Sequence, residues 1–242
     1  RERQQVLDRL ALDGGEARKV SSLPDGVNEF VWLPDGSGFV AVSDVKWPAE
    51  QEIDQRNGKF ATDARIWTDL FYRHWDEWRT NIRHHILVAD IATGDTRDLT
   101  PGDFDSPPHF YEDAAMTFSP DSRMLLFVSN REGRDREMWT TNQDVWIVPV
   151  TGGDARKVTP NRAADVQPAY SPDGRSLAIV SHRYGEPQQI VVIDPDTGKE
   201  RALGLPSLRS FDSLAWTPGT NSLIVSGSER PVNQRGATQV WE

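Results

Sequence analysis

Two series of tight turns, interleaved in phase, constrain this chain more than any other feature. The first reads Leu33-Pro34-Asp35-Gly36, Ser119-Pro120-Asp121-Ser122, Ser171-Pro172-Asp173-Gly174 and Thr217-Pro218-Gly219-Thr220. Each turn follows an apolar stretch ending in an aromatic residue (Trp32, Phe118, Tyr170, Trp216). Each precedes a second apolar stretch, at 39–43, 124–129, 177–181 and 223–226. Proline presets φ for the second turn position, and Asp and Gly accept the conformations that follow. The pattern therefore predicts strand, turn, strand. The second series, Asp13-Gly14-Gly15, Thr93-Gly94-Asp95, Thr151-Gly152-Gly153 and Asp196-Thr197-Gly198-Lys199, joins an apolar strand to a short one. Two hairpins per repeat make a four-stranded antiparallel sheet.

The spacing names the architecture. Pro172 and Pro218 are 46 positions apart and Pro120 and Pro172 are 52 apart, close to the roughly 40–50 residues of a propeller blade. A single twisted four-stranded sheet cannot bury both of its faces, whereas blades stacked around an axis bury them mutually. The expected fold is all-β, an incomplete β-propeller of four-stranded antiparallel blades spanning residues 1–242. Three whole blades fall at 28–100, 113–159 and 166–204, with partial ones at 5–20 and 211–242. A generic β-sandwich would give turns at similar spacing but not this doubled, phased series. Pro34 and Pro120 are 86 positions apart, too far for one plain blade. The excess lies at 44–84, an insertion between the second and third strands.

Composition removes several functional classes. The formal charge of −10 repels phosphate backbones, so nucleic acid is not an expected partner. The chain has no Cys, which excludes a disulfide frame and a thiolate metal site and fits bacterial cytoplasm and periplasm equally. No apolar run approaches membrane length. Arg1 stands where a start codon would place Met, and the chain opens directly into strand-like sequence, as a mature or cut piece would.

The insertion is where chemistry could reside. Its second part, Ile66-Trp67-Thr68-Asp69-Leu70-Phe71-Tyr72-Arg73-His74-Trp75-Asp76-Glu77-Trp78, holds three of the nine Trp. So dense an apolar segment has to pack on something. Ile66, Leu70, His74 and Trp78 lie four apart, as on one helical face, and the alternation fits a strand equally. Arg73, Asp76 and Glu77 are interleaved with Trp75 and Trp78, and carboxylates beside aromatic walls can hold an ammonium group. The plain reading is packing, with Arg73 paired to Asp69 or Glu77.

Other candidates are weaker. His84 and His85 are adjacent, so on a strand they point to opposite faces and do not share a metal. No metal and no cofactor is expected. The alternating charges at 131–137 read as a solvated loop, and 103–113, with Pro107-Pro108, as a blade-to-blade connection. No Gly-x-Ser-x-Gly elbow, Walker motif or dinucleotide glycine pattern occurs, so no catalytic residue is assigned.

The run at 68–78, placed in an insertion between two propeller strands, resembles the dipeptidyl-peptidase V group, close to the acylaminoacyl peptidases of the prolyl oligopeptidase family. The Ser-Pro-Asp-Gly turns alone are shared with many non-enzymatic propellers, including TolB-like ones. The resemblance implies an N-terminal propeller followed by an α/β-hydrolase domain that carries a Ser-Asp-His triad. No residue of this chain matches that triad, so the hydrolase domain is expected outside it and the chain alone is expected to be inactive. It further implies a propeller that admits short peptides with a free or blocked N-terminus. Asp76 or Glu77 would hold the amine, Trp75 and Trp78 would wall the pocket, and Arg73 would orient a carbonyl or carboxylate. A non-enzymatic TolB-like propeller that binds a protein is the alternative. Open sheet edges would allow a homo-oligomer.

Overall fold

Strands arise where the turns predict them, and an aspartate holds several of the turns in both series. In the computed structural model, the described residues are 7–10, 12, 14–20, 23, 26–46, 73–74, 77–78, 82–108, 115–137, 139–205, 208–229 and 239–241. Ser171 Oγ donates to Asp173 Oδ1 at 2.6 Å and accepts the Ser176 amide at 2.9 Å, while Asp173 Oδ1 takes the Arg175 amide. Ser119, Asp121, Arg123 and Met124 repeat that arrangement. In the second series Asp90 Oδ1 accepts the amides of Ala92 and Thr93, and Asp194 Oδ1 those of Asp196 and Thr197. Such side-chain acceptors mimic a backbone turn. The amides they receive hold these exposed carboxyls below the usual range, and at Asp121 and Asp173 the serine hydroxyl is the larger cause.

Contacts divide the chain into two compact units, Arg1–His109 with Arg131–Thr140, and Phe110–Asn130 with Thr141–Glu242. In the first, β1 (Asp8–Arg9) pairs with β2 (Arg18–Lys19). A four-stranded antiparallel sheet follows, built from β3 (Glu29–Trp32) and β4 (Gly38–Lys46) and, beyond a small ladder of β5 (Arg73–His74) and β6 (Glu77–Trp78), from β7 (Ile82–Asp90) and β8 (Thr96–Asp98). One helical turn, α1 (Arg134–Glu137), also belongs to this unit. Phe39 and Ala41 of β4 and Leu87 and Ala89 of β7, all odd positions, pack with Leu23 and Val27 against Leu7 and Val20 flanking the β1–β2 pair.

The second unit stacks three sheets. β9 (Met116–Phe118), β10 (Met124–Ser129), β11 (Asp144–Pro149) and β12 (Arg156–Lys157) form the first. β13 (Ala164–Tyr170), β14 (Leu177–His182), β15 (Gln189–Ile193) and β16 (Glu200–Leu203) form the second. β17 (Ser210–Trp216), β18 (Leu223–Ser228) and β19 (Gln239–Trp241) form the third. The middle sheet explains why its strands read as unbroken apolar runs. Leu177, Ile179, Val191 and Ile193 pack against Leu126, Val145 and Ile147 of the first sheet. Val180 and Ile190, on the opposite face of the same strands, pack with Phe211 and Val225 of the third. A strand covered on both sides loses the polar alternation of a half-exposed one. Fully burying one such aliphatic side chain contributes about 1.5–3 kcal/mol.

The fold is thus all-β apart from one helical turn, with four-stranded antiparallel sheets whose faces bury one another, as in a β-propeller. No helix among the described residues is long and apolar enough to cross a membrane.

Candidate functional site at the base of the insertion

β4 and β7 run nine residues each and pair in register from Gly38 and Asp90 to Lys46 and Ile82. The equivalent middle strands β10 and β14 have six. The extra length carries the β4–β7 pair toward the insertion and leaves a problem, because β8 pairs only with Leu87, Val88 and Ala89. Beyond that point the outer edge of β7 has no strand beside it among the described residues, and buried backbone groups need partners.

The segment that follows β8 supplies them. The Leu99 amide donates to Ile86 O at 2.8 Å, and Thr100 Oγ1 accepts the Ile86 amide at 2.9 Å. Asp105 Oδ1 accepts the His84 amide at 2.9 Å, and the Ser106 amide donates to His84 O at 2.8 Å. Two backbone amides and two side-chain oxygens thus continue the edge where β8 stops. The Thr hydroxyl recurs in the second unit, where Thr159 Oγ1 accepts the Val145 amide at 3.0 Å and the Val158 amide donates to Val145 O at 2.8 Å. The two threonines share a sequence context, Leu99-Thr100-Pro101 and Val158-Thr159-Pro160, which by itself reads as a turn.

Arg83 is the centre of this region. It is 4% exposed and donates from Nε to Asp103 Oδ1 at 2.9 Å, and from Nη1 to Asp105 Oδ2 at 3.1 Å and Glu137 Oε1 at 3.2 Å. Nη2 reaches Glu137 Oε1 at 3.3 Å. Burial works against its charge, but the carboxylates of Asp105, Glu137 and Asp103 outweigh it and hold the guanidinium above its ordinary pKa. Beside this cluster Arg131 lies over the Phe104 ring, 3.9 Å from its centre, and burial pulls its pKa down to about 10. Gly102 lies under that same ring with φ +148°, and a Cβ there would run into Phe104. Three carboxylates gathered on one guanidinium leave the base of the insertion negative, a field suited to cationic groups.

The two histidines point apart. His84 Nε2 is 3.3 Å from Asp44 Oδ1, and His85 Nδ1 is 2.7 Å from Asp98 Oδ2. His85 Nε2 faces Gly102 O at 2.9 Å, so both ring nitrogens of this buried side chain meet oxygen partners within the unit. Among the described residues, no group of three or more His, Cys, Asp or Glu is arranged to hold a metal.

The sequence-derived site residues fall partly within the structure. Arg73, Glu77 and Trp78 stand in the β5–β6 ladder, where Arg73 pairs with Trp78 and His74 with Glu77. The backbone at these four positions is strand, and the position opposite Arg73 is Trp78 rather than Glu77. Trp75 and Asp76 lie outside the described residues. Two expectations are corrected. The charged run at 131–137 is not simply solvated, since Glu137 pairs with the buried Arg83 and Arg131 stacks on Phe104. The segment beyond 103 is more than a connection, because Asp105 and Ser106 bond the His84 backbone at the edge of β7 and Asp103 pairs with the Arg83 side chain. The available clue was an arginine inside the apolar run Ile82-Arg83-His84-His85-Ile86-Leu87-Val88, since an enclosed charge demands partners.

No family model matches the chain. Among curated proteins it is 29% identical over 176 residues to dipeptidyl-peptidase 5 of Porphyromonas endodontalis, covering 70% of this chain and 25% of that protein. It is 26% identical over 233 residues to dipeptidyl-peptidase 5 of Porphyromonas gingivalis, covering 90% and 32%. A TolB homolog of Chlorobaculum tepidum is 30% identical over 236 residues, covering 91% and 50%. The chain thus spans a quarter to a third of the length of these two peptidase relatives. Among solved structures, an oligogalacturonate lyase in complex with manganese matches with TM-score 0.60 and 19% identity, over 98% of this chain and 56% of that one. The tricorn protease matches with TM-score 0.60 and 12% identity, over 92% and 21%. A lyase and a protease on one scaffold show that these two likenesses speak to fold alone.

Proposed function

We propose, on the premise that this chain resembles part of the N-terminal β-propeller of prolyl oligopeptidase-family serine peptidases of the dipeptidyl-peptidase 5 type, that it belongs to a propeller gating such an enzyme. Its parent would be a serine dipeptidyl- or oligopeptidase that cleaves short peptides, with the Ser-Asp-His chemistry in an α/β-hydrolase domain outside residues 1–242. The propeller admits short peptides, excludes folded proteins and helps to seat the substrate N-terminus. The observation that carries this reading is the insertion. A nine-residue strand pair, longer than its counterparts, holds out a segment containing the Tyr72-Arg73-His74-Trp75-Asp76-Glu77-Trp78 run, and a propeller serving only as scaffold has no need of it.

In this reading Asp76 or Glu77 accepts the substrate ammonium, Trp75 and Trp78 flank it, and Arg73 orients a carbonyl or carboxylate. Removal of dipeptides from a free N-terminus requires such a fixed negative site at a set distance from the nucleophile, because its position counts residues from the amine. In the full-length parent, neutralising Asp76 and Glu77 together (D76N/E77Q) is expected to lower kcat/KM on a free-amine dipeptidyl substrate by more than about ten-fold, as for loss of a charge-assisted contact. Unchanged kinetics would remove both residues from the site.

The TolB homolog favours a second reading, a non-enzymatic propeller that binds a protein. The gene downstream of Glu242 discriminates the two. A hydrolase segment with a nucleophile elbow supports the peptidase, and further blades followed by a stop would end that reading.

A further inference from the structure

We infer that Arg83 is a positioning residue: by gathering Asp103, Asp105 and Glu137 onto one guanidinium at the foot of β7, it fixes the stem from which the β5–β6 ladder departs. Arg83 stands five residues after Trp78, so the end of β6 lies within about 17 Å of it along the chain, at roughly 3.3–3.6 Å per residue. A fixed foot of β7 therefore limits how far β6 can travel.

Three observations support this role over one in binding. First, the guanidinium is committed: its side chain is 5% exposed, and Nε, Nη1 and Nη2 each meet a carboxylate oxygen. A planar fork used this fully recognises a fixed geometry and has little left for a ligand. Second, its partners lie 20, 22 and 54 positions away in sequence, so one side chain ties together the β7 strand, the loop after β8 and the α1 turn. Without the cation the three carboxylates would repel one another in a half-buried setting. Third, the apolar cluster of this unit gathers at the other end of the strand pair. Phe39, Ala41 and Ala89 belong to it, whereas Val45 is the register partner of Arg83. Polar contacts therefore secure the insertion end, and loosening them should open that end while the core end stays closed.

Hydrogen–deuterium exchange on residues 1–242, read by mass spectrometry, tests this directly with Arg83→Met, Arg83→Lys and Glu137→Gln. The Arg83→Met protein is expected to exchange at least about ten-fold faster at 73–78, 82–86, 102–106 and 134–137, with β10 and β14 unchanged as the internal measure of folding. Arg83→Lys and Glu137→Gln should fall between it and the unmodified chain, because each keeps part of the clasp. Faster exchange in the two loops with 73–78 unchanged would overturn the inference. If Arg83→Met loses protection in β10 and β14 as well, Glu137→Gln carries the same comparison. A second arm rests on the peptidase reading. In the full-length parent, Arg83→Lys should raise KM for a free-amine substrate with kcat held within about two-fold, and a loss confined to kcat would contradict a positioning role. A parent without peptidase activity would remove the proposed function and leave the exchange result standing.

Discussion

A fully enclosed carboxylate is either compensated or protonated, and Asp165 on β13 lies between these cases. It has no exposed surface and accepts the Asn161 amide at 2.8 Å. Burial pushes its pKa up to about 6, partly offset by the polar side chains of Ser181, Asn161 and Thr159 around it, with Glu200 adding a small push upward. Its folded pKa is thus raised above the unfolded value. The stability it confers is full below about pH 4 and is lost as pH rises through about 6. Asp165→Asn should therefore stabilise the protein at pH 8 by about 1–3 kcal/mol, with the gain vanishing below pH 4. Urea unfolding at pH 4, 6 and 8 reads this, and a less stable variant at pH 8 would mean that the ionised form is the better bonded one. The threonine hydroxyls make a simpler case: Thr100→Val and Thr159→Val should each cost roughly 1 kcal/mol or more, since each strands a buried amide. Their role was not legible in the sequence. A Thr before Pro reads as one more turn residue until the Ile86 and Val145 amides are found lacking strand partners. The turn aspartates were legible, because Pro-Asp-Gly acts locally and needs nothing distant to explain it.

Strands come from local pattern, but their lengths and ends do not. The apolar runs foretold β10 and β14 to within a residue, whereas β4 and β7 continue past the alternating stretch into Asp44, His84 and Arg83, where polar partners replace a core. That extension decides where the candidate site sits. Its partners were illegible because Asp103, Asp105 and Glu137 are remote in sequence and lie in segments whose charge alone suggests solvent. Within the insertion, periodicity over 66–78 fits helix and strand equally, and the Arg73–Trp78 and His74–Glu77 register shows strand at those four positions. Close strand contact gives a test at this scale. Gly38 begins β4 against the Ala89 carbonyl, and Gly227 on β18 lies against Ser210 O, so a Cβ at either would force the strands apart. Gly94 has open space and a φ of +77°, so alanine there meets only backbone strain. Gly38→Ala and Gly227→Ala should each cost about 2–4 kcal/mol and Gly94→Ala about 1 kcal/mol. Equal denaturation midpoints for all three would mean that the strands have room to spare.

At the scale of the molecule, the propeller logic requires every sheet to find cover for its faces and partners for its edges. The β13–β16 sheet satisfies this on both faces, Leu177 and Ile179 to one side and Val180 and Ile190 to the other. Its neighbour is thinner. Among the described residues β17, β18 and β19 form three strands with β19 at the edge, and β1 pairs with β2 alone. An unpaired edge offers a row of amides and carbonyls to any other chain, and proteins usually blunt such edges with charge. The sequence at β19, Gln239-Val240-Trp241, brings none, and the formal charge of −10 acts over the whole chain rather than on this strand. Residues 1–242 expressed alone should therefore self-associate as concentration rises. Val240→Lys should shift the balance toward monomer, because a lysine on an edge strand opposes pairing with a second copy. Light scattering across a concentration series measures both proteins. A monodisperse monomer for the unmodified chain would show that this edge is already covered, and an unchanged dimer in the Lys variant would place the association on another surface.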